Sequence, residues 1–168
     1  MRSLVLATSS PEQTRMAGRA VADLFEAGDV VSLTGDLGAG KTAFVQGAAA
    51  GLGVEGPVQS PTFVLIRQYR GRLPVAHVDV YRLDHLQDAA DLGLDELVEG
   101  NGVVFVEWGD GISALLPEDH LRVELDLGEH GDQDRRIVVT GSGPRWARRW
   151  DRLGAVLARW TQGGGSPS

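Results

Sequence analysis

The chain has 168 residues, 42% of them hydrophobic, and its 16 basic and 23 acidic residues give a formal net charge of −7. This length allows one sizeable core, and we predict a single domain over residues 1–161 followed by a disordered tail at 162–168. The acidic balance disfavours a general nucleic-acid binder, because such proteins hold phosphate backbones with an excess of Lys and Arg. The chain has no cysteine, which excludes disulfides, thiolate nucleophiles and Cys-ligated metals. We expect a cytoplasmic protein without a membrane-spanning segment.

The first part of the chain predicts two helices around a short strand. Ser10 is the expected cap of the first helix, which should end near Gly28. DVVSLTG, residues 29–35, predicts a buried strand that runs directly into the glycine-rich stretch GDLGAGKT, residues 35–42. TAFVQGAAAGLG then predicts a second helix, which ends at its last glycines.

The rest of the chain is richer in strands. SPTFVLIRQYR and LPVAHVDVYRL predict a hairpin, and both strands are expected beside the opening strand. An acidic segment from residue 84 predicts a helix in two pieces, and the strongly apolar strand GVVFVEW follows it. LRVELDL and RRIVVTG predict a second hairpin. This order of elements favours an α/β fold with central apolar strands.

Residues 145–160 predict an amphipathic C-terminal helix. Trp146, Trp150 and Trp160 fall on one helical stripe together with two leucines. The arginines of this segment are expected on the remaining surface.

GDLGAGKT matches the phosphate-loop pattern G-x-x-x-x-G-K-[ST] in the context that the pattern requires, after a strand and before a helix. Little side-chain bulk lets successive backbone N–H groups converge on phosphate oxygens, and the following helix adds its positive end. Lys41 would reach the β and γ phosphates, and the Thr42 hydroxyl would bind Mg²⁺. The predicted nucleotide-binding residues of this stretch are Asp36, Leu37, Gly38, Ala39, Gly40, Lys41, Thr42 and Ala43.

Lys41 is the only lysine in the chain, although arginine occurs throughout. Its compact ammonium fits between phosphate oxygens where a planar guanidinium does not, which explains lysine at this position. The usual guanine-binding motif N-K-x-D needs another lysine, so ATP is the predicted nucleotide.

Two acidic residues are candidates for the Mg²⁺ site, because phosphate-loop enzymes place a carboxylate at the end of an apolar strand. Glu107 ends VVFVE and is preferred as the metal acid, and Asp79 is expected to orient a Mg²⁺-bound or attacking water. An ion-paired surface carboxylate is the alternative for each. His77 shares a strand face with Asp79 and Tyr81, and a packed, hydrogen-bonded role is favoured over a catalytic one.

The interpretation of Thr62 and Trp108, and of the adenine walls, stays open. Thr62 of SPTF is either a loop threonine that reads the γ-phosphate or Mg²⁺, or a hydroxyl that stabilises a turn. Trp108 is a core residue or a wall of the site. The region from Thr8 to Ser10 and the second hairpin are candidates for the adenine walls.

GDLGAGKT, SPTF, HVDVYRL and VEW, in this order and at this spacing, resemble the TsaE (YjeE) family of bacterial ATPases from about Ser10 to about Thr140. The resemblance implies a P-loop NTPase-like fold, with a parallel core sheet flanked by antiparallel strands and helices. It implies that Gly38 to Thr42 hold the phosphates and that Thr42 and Glu107 bind Mg²⁺. The residues implied to face the nucleotide are Thr62, Asp79 and Tyr81, with Trp108 beside them, and the predicted catalytic set is Lys41, Thr62, Asp79 and Glu107.

The same resemblance implies a role in bacterial synthesis of threonylcarbamoyladenosine, the tRNA modification next to the anticodon. The implied partners are the TsaD and TsaB proteins, and tRNA is reached indirectly through their complex. ATP hydrolysis is implied to be weak alone and to reset that complex between rounds.

Two features depart from the family pattern. Ala43 replaces the second hydroxyl residue often found after the loop threonine, which removes one phosphate hydrogen bond. The Trp/Arg helix lies outside the shared pattern, and either docks on the sheet or contacts a partner or tRNA. Two other functions stay open: a small-molecule kinase, and an adaptor that responds to ATP without cleaving it.

Overall fold

The fold is described by a computed structural model over residues 2–36, 38–58, 66–79, 94–107, 116–128 and 131–161. The strands are β1 (Arg2–Thr8), β2 (Val30–Gly35), β3 (Ile66–Arg70), β4 (Pro74–Asp79), β5 (Val103–Glu107), β6 (His120–Leu127) and β7 (Arg135–Ser142). The helices are α1 (Pro11–Ala22), α2 (Lys41–Gly51), α3 (Leu94–Val98) and α4 (Pro144–Val156), followed by a 3₁₀-helix at Ala158–Trp160. Within these ranges no helix has the length and apolar character needed to cross a membrane. Of the helix predicted from residue 84, only α3 lies within them, and the predicted tail at 162–168 lies outside.

The seven strands form one sheet in the order β1-β7-β6-β2-β5-β4-β3. The four central strands β6, β2, β5 and β4 are parallel to one another, whereas β3 at one edge and β7 and β1 at the other are antiparallel to their neighbours. The predicted α/β fold, with a parallel core sheet and antiparallel flanks, is confirmed. Parallel strands end at the same end of a sheet, so the last residues of β2, β4 and β5 are brought together there.

Both predicted hairpins form, but the first has a different neighbour from the one predicted. β3 pairs with β4, and β6 pairs with β7. The expectation that β3 and β4 lie beside the opening strand is wrong, because β5 separates β4 from β2. All five residues of β5 are buried, and a strand buried on both faces belongs in the middle of a parallel sheet.

Helix α1 begins where predicted and ends earlier. The Ser10 side-chain oxygen accepts a hydrogen bond from the Gln13 backbone N–H at 3.1 Å, which caps the helix. The helix ends at Ala22 rather than near Gly28. Phe25 follows in a turn and packs edge-on against one aromatic ring of β5 and one of α4. The helix therefore ends early because the Phe25 ring packs into the core, and this packing outweighs the tendency of the sequence to continue the helix.

The core lies on both faces of the sheet and is larger on one of them. The larger cluster joins helices α1, α2 and α4 to the sheet, and the smaller cluster consists of strand residues on the other face. On β5, Phe105 belongs to the larger cluster, whereas Val104 and Val106 belong to the smaller one. Side chains alternate along a strand, so Glu107 points to the same side as Phe105, towards the helices.

Helix α4 ends at Val156, so Trp160 of the predicted helix 145–160 lies in the 3₁₀-helix that follows. The whole tryptophan stripe nevertheless docks, and one arginine of α4 is buried as well. Trp146, Trp150 and Trp160 are all buried in the larger cluster, as the docking interpretation predicts. Arg149 is only 4% exposed and donates two hydrogen bonds to Asp29, at 2.7 and 2.9 Å. The prediction that the arginines cover the remaining surface is therefore wrong for Arg149. The carboxylate of Asp29, at the start of β2, is itself buried and needs a charged partner.

Candidate nucleotide-binding site

The predicted phosphate loop connects the carboxyl end of β2 with the first turn of α2. β2 ends at Gly35 and α2 begins at Lys41, which confirms the order of strand, loop and helix. Gly35, Gly38 and Gly40 have φ angles of +145°, +83° and +109°, which other residues rarely adopt. At Gly35 a Cβ atom would also collide with the carbonyl oxygen of Leu125 on β6. The loop conformation therefore depends on glycine.

Lys41 turns its ammonium group back towards the loop. The residue is 7% exposed, and its Nζ donates to the carbonyl oxygen of Gly35 and, at 3.4 Å, to that of Asp36. The only lysine of the chain therefore places its positive charge at the end of β2. Phosphate oxygens accept stronger, charge-assisted hydrogen bonds than these carbonyls, so the ammonium is well placed to bind a phosphate.

The first turn of α2 presents backbone N–H groups next to this charge. Its hydrogen bonding begins with the Phe44 N–H, which donates to the carbonyl oxygen of Gly40 at 3.0 Å. The half-buried Thr42 and Ala43 precede that bond, and the first N–H groups of a helix have no partner inside it. These groups and the positive end of the helix dipole favour an anion at this position.

Glu107 and Asp79 end their strands beside the loop. They are the last residues of β5 and β4 and are paired with each other in register. Glu107 is also paired with Leu33, two residues before Gly35. The three strands are parallel, so both carboxylates lie at the end of the sheet that carries the phosphate loop. Glu107 is 5% exposed and is not a surface carboxylate, whereas Asp79 is half-buried.

A buried histidine holds Glu107. The Nε2 atom of His77, which is 0% exposed, contacts Oε2 of Glu107. Because a carboxylate only accepts hydrogen bonds, Nε2 carries the hydrogen in this contact. The buried Nδ1 atom has no hydrogen-bond partner among the described residues, so Glu107 is the polar contact that orients the ring. The packed, hydrogen-bonded role predicted for His77 is confirmed, and its partner is the candidate metal acid.

The available oxygen ligands suit Mg²⁺. Thr42 offers a hydroxyl at the start of α2 and Glu107 a carboxylate at the end of β5. Mg²⁺ is usually bound by one or two carboxylates, with substrate phosphates and waters completing its shell. Among the described residues, no group of three His, Cys, Asp or Glu side chains could hold a metal ion. Thr42 and Glu107 would supply one hydroxyl and one carboxylate to a metal ion whose remaining ligands come from phosphates and waters.

The structure brings together only part of the predicted site. The residues gathered at the loop and at the neighbouring strand ends are Asp36, Gly38, Ala39, Gly40, Lys41, Thr42, Ala43, Asp79 and Glu107. Leu37, Thr62, Tyr81 and Trp108 lie outside the described residues, and their roles stay predictions.

A cation that the sequence does not single out contacts the loop. Arg135 begins β7, and its Nε and Nη2 atoms donate to the carbonyl oxygens of Ala39 and Gly38, at 3.0 and 3.1 Å. The second hairpin is a predicted candidate for the adenine wall, which indicates nearness to the site but not this contact. Arg135 follows Ala39 by 96 residues, and no local pattern links positions so far apart.

Comparisons with known proteins agree on one family. A family profile described as "Threonylcarbamoyl adenosine biosynthesis protein TsaE" matches residues 8–137. The "tRNA threonylcarbamoyladenosine biosynthesis protein TsaE" of Bacillus subtilis is 43% identical over 154 residues, which cover 91% of this chain and 95% of that protein. The protein of the same name from Streptomyces coelicolor is 46% identical over 139 residues, covering 79% and 93%.

A solved structure shows the same fold. The crystal structure of YdiB from Bacillus subtilis superposes with a TM-score of 0.76 at 38% sequence identity, covering 94% of this chain and 95% of that one. The region matched by the family profile contains the phosphate loop and both strand-end carboxylates. The chain belongs to the TsaE family.

Proposed function

We propose that this chain is a Mg²⁺-dependent ATPase that acts in the biosynthesis of threonylcarbamoyladenosine in tRNA, together with the TsaB and TsaD proteins. The observation that carries the proposal is the glycine loop with the ammonium of Lys41 turned into it, beside the strand that ends at Glu107. The tRNA modification is supported by the family, because its Bacillus subtilis and Streptomyces coelicolor members are named for that biosynthesis.

The loop would bind the phosphates of ATP. Backbone N–H groups between Gly38 and Thr42 donate to phosphate oxygens, and Lys41 moves its hydrogen bonds from the loop carbonyls to the β and γ phosphates. The same groups stabilise the negative charge that develops on the transferring phosphoryl oxygens. Lysine suits this position because its ammonium is small and carries three rotatable donors.

The strand ends would complete the reaction site. Thr42 and Glu107 would hold Mg²⁺, which neutralises phosphate charge when bound. His77 fixes the Glu107 carboxylate through its Nε2 hydrogen bond. Asp79, paired with Glu107, orients the water that attacks the γ-phosphate in line with the bond to ADP. The products are ADP and inorganic phosphate.

The family resemblance supports the remaining parts of the proposal. By this resemblance, Thr62 and Tyr81 would face the nucleotide, with Trp108 beside them. Hydrolysis is slow for the chain alone and faster on the complex of TsaB and TsaD, where ATP turnover resets that complex between rounds of modification. tRNA is then contacted through the partners.

The test measures phosphate release from ATP by the chain alone and with purified TsaD and TsaB of the same species, each with and without Mg²⁺. Turnover should require Mg²⁺ and rise with the partners. A rate that the partners leave unchanged would contradict the partnership. Lys41→Ala is the control, and unchanged ATP affinity and turnover in that variant would refute the nucleotide site.

Two further measurements separate the other functions. If Glu107→Ala abolishes hydrolysis but keeps ATP binding and full tRNA modification in cells, the chain is an adaptor that responds to ATP without needing to cleave it. Transfer of the γ-phosphate to a defined metabolite without partner proteins would indicate a small-molecule kinase instead.

A further inference from the structure

Arg135 joins two parts of the molecule through backbone carbonyls. Its Nε and Nη2 atoms donate to Ala39 and Gly38 of the phosphate loop, at 3.0 and 3.1 Å. Its Nη1 atom donates to the carbonyl oxygens of Asp132 and Asp134, both at 2.7 Å. One guanidinium group therefore fastens the loop to the chain that leads into β7.

These contacts act on two successive peptide planes of the loop. In a trans peptide the C=O and N–H groups point in opposite directions. The plane that carries the Gly38 carbonyl also carries the Ala39 N–H, which donates to the backbone carbonyl oxygen of Asp36 at 2.9 Å. The plane that carries the Ala39 carbonyl also carries the Gly40 N–H. Arg135 therefore holds the outward carbonyls and turns the Gly40 N–H to the opposite side.

The loop needs such support, because its glycines have wide conformational freedom that must be restricted to order it. Gly38 is exposed and has a φ angle of +83°, and no atom of the described residues lies within 4 Å of the place where a Cβ would be. Within that part of the chain no side chain packs against this glycine, so the hydrogen bonds of its backbone matter more for holding its conformation. A guanidinium is suited to the task, since its planar fork donates to several acceptors at once.

We infer that Arg135 is a positioning residue for nucleotide binding: it orders the phosphate loop before the nucleotide arrives and adds positive charge beside it. The inference rests on the proposed function for its link to ATP. Its claim about the order of the loop stands on the hydrogen bonds alone.

The experiment compares Arg135→Met, Arg135→Lys and Arg136→Met. Methionine keeps the apolar stem and removes the donors and the charge. Arg136 is the matched control, because it is exposed on the opposite face of β7 and its loss changes the net charge equally. The readouts are the Kd of ATP and of ADP, the melting temperature, and backbone hydrogen exchange over residues 38–44 without nucleotide.

Arg135→Met should weaken nucleotide binding about tenfold, and Arg136→Met less than about twofold. Arg135→Lys should fall between them, since it restores the charge but not the fork. Exchange over residues 38–44 should be faster in Arg135→Met than in wild type or in Arg136→Met. If Arg135→Met does not fold, Arg135→Lys carries the same comparisons.

The outcomes separate the inference from the proposed function. Wild type that binds neither ATP nor ADP would refute the proposed function, while the exchange rates still decide whether Arg135 orders the loop. If wild type binds nucleotide and the two methionine variants share its Kd and exchange rates, only the inference is overturned. A lower melting temperature with unchanged Kd and unchanged loop exchange would likewise overturn it, because Arg135 would then be merely structural.

Discussion

His77 and Glu107 are joined across two neighbouring parallel strands, through the Nε2 atom of the imidazole and the Oε2 atom of the carboxylate. Both side chains are buried, and the imidazole has no other hydrogen bond within the described chain. The histidine therefore determines where the carboxylate points.

Replacing His77 should impair metal use more than nucleotide binding. His77→Leu removes the group that orients Glu107, and losing such a contact typically weakens metal binding 10- to 100-fold. We expect a Mg²⁺ titration of ATP hydrolysis to shift to higher concentration in this variant. His77→Gln, whose side-chain N–H group can still donate, is the control and should shift less. Equal Mg²⁺ requirements in wild type and His77→Leu would contradict the role.

Lys41→Arg should lose nucleotide binding although it keeps the charge. The ammonium fits against two loop carbonyls from a nearly buried position, where a broad planar guanidinium does not fit. A titration of ATP should show affinity lower by more than about tenfold. The control is Arg152→Lys, an exposed exchange on α4 between the same residue types. ATP affinity of Lys41→Arg within twofold of wild type would show that charge alone suffices.

Alanine substitutions should separate two reasons for glycine in the loop. In Gly38→Ala the new Cβ meets no atom of the described residues, and the positive φ alone should cost about 1–2 kcal/mol of unfolding free energy. Gly35→Ala should cost more, because its Cβ also collides with Leu125. Gly154→Ala on α4 has open space and should stabilise the fold by about 0.5–1 kcal/mol.

Urea unfolding of the three variants gives these free energies directly. Equal costs for Gly35→Ala and Gly38→Ala would mean that the approach of β6 to the loop is unimportant. Destabilisation by Gly154→Ala would mean that neighbouring atoms crowd a Cβ at this helix position.

Arg149→Met should destabilise the fold far more than the same change at an exposed arginine of α4. Its guanidinium forms a two-point contact with the buried carboxylate of Asp29 and donates to the Leu24 carbonyl at 2.7 Å. Removing one partner of a buried pair costs about 3–5 kcal/mol when the other charge is left uncompensated. The loss should be smaller here, because Asp29 keeps an ion pair with Arg145 at 3.1 Å. Urea unfolding measures the loss, with the exposed Arg148→Met as the control on the same helix. A loss no greater than that of Arg148→Met would contradict a structural role for Arg149.

Local patterns in the sequence predict strands β2 to β7, the phosphate loop and the strand-end carboxylates, but not strand β1. GDLGAGKT is a contiguous motif, and Glu107 follows four apolar residues, so both signals lie within a few positions. Their meeting at one end of the sheet then follows from parallel strands. The family pattern adds the fold, because the order of the motifs is itself a signal.

The remaining features depend on contacts between distant parts of the chain. Strand β5 lies between β2 and β4 because it can be buried on both faces. Which strand takes a central position depends on the apolar character of all the strands together. The spacing of Arg149 predicts a place on the helix surface, but its side chain is buried against Asp29 and Leu24, which lie 120 and 125 residues earlier in the chain. The contacts of Arg135 could not be predicted for the same reason. Its hydrogen bonds are made to backbone carbonyls, which every residue has, so the sequence does not mark its partners.

Strand β2 connects a site that stabilises the fold, the Asp29–Arg149 pair, with the phosphate loop, which is proposed to carry the activity. It has six residues, so its ends lie about 20 Å apart. Asp29, just before the strand, is held by Arg149, whereas Gly35, at its last position, begins a loop with backbone angles that only glycine adopts readily. Activity and stability often compete when one change alters both. Here they are separated along one rigid strand, so the family member could be made more heat-resistant around α4 without relaxing the loop on which ATP turnover would depend.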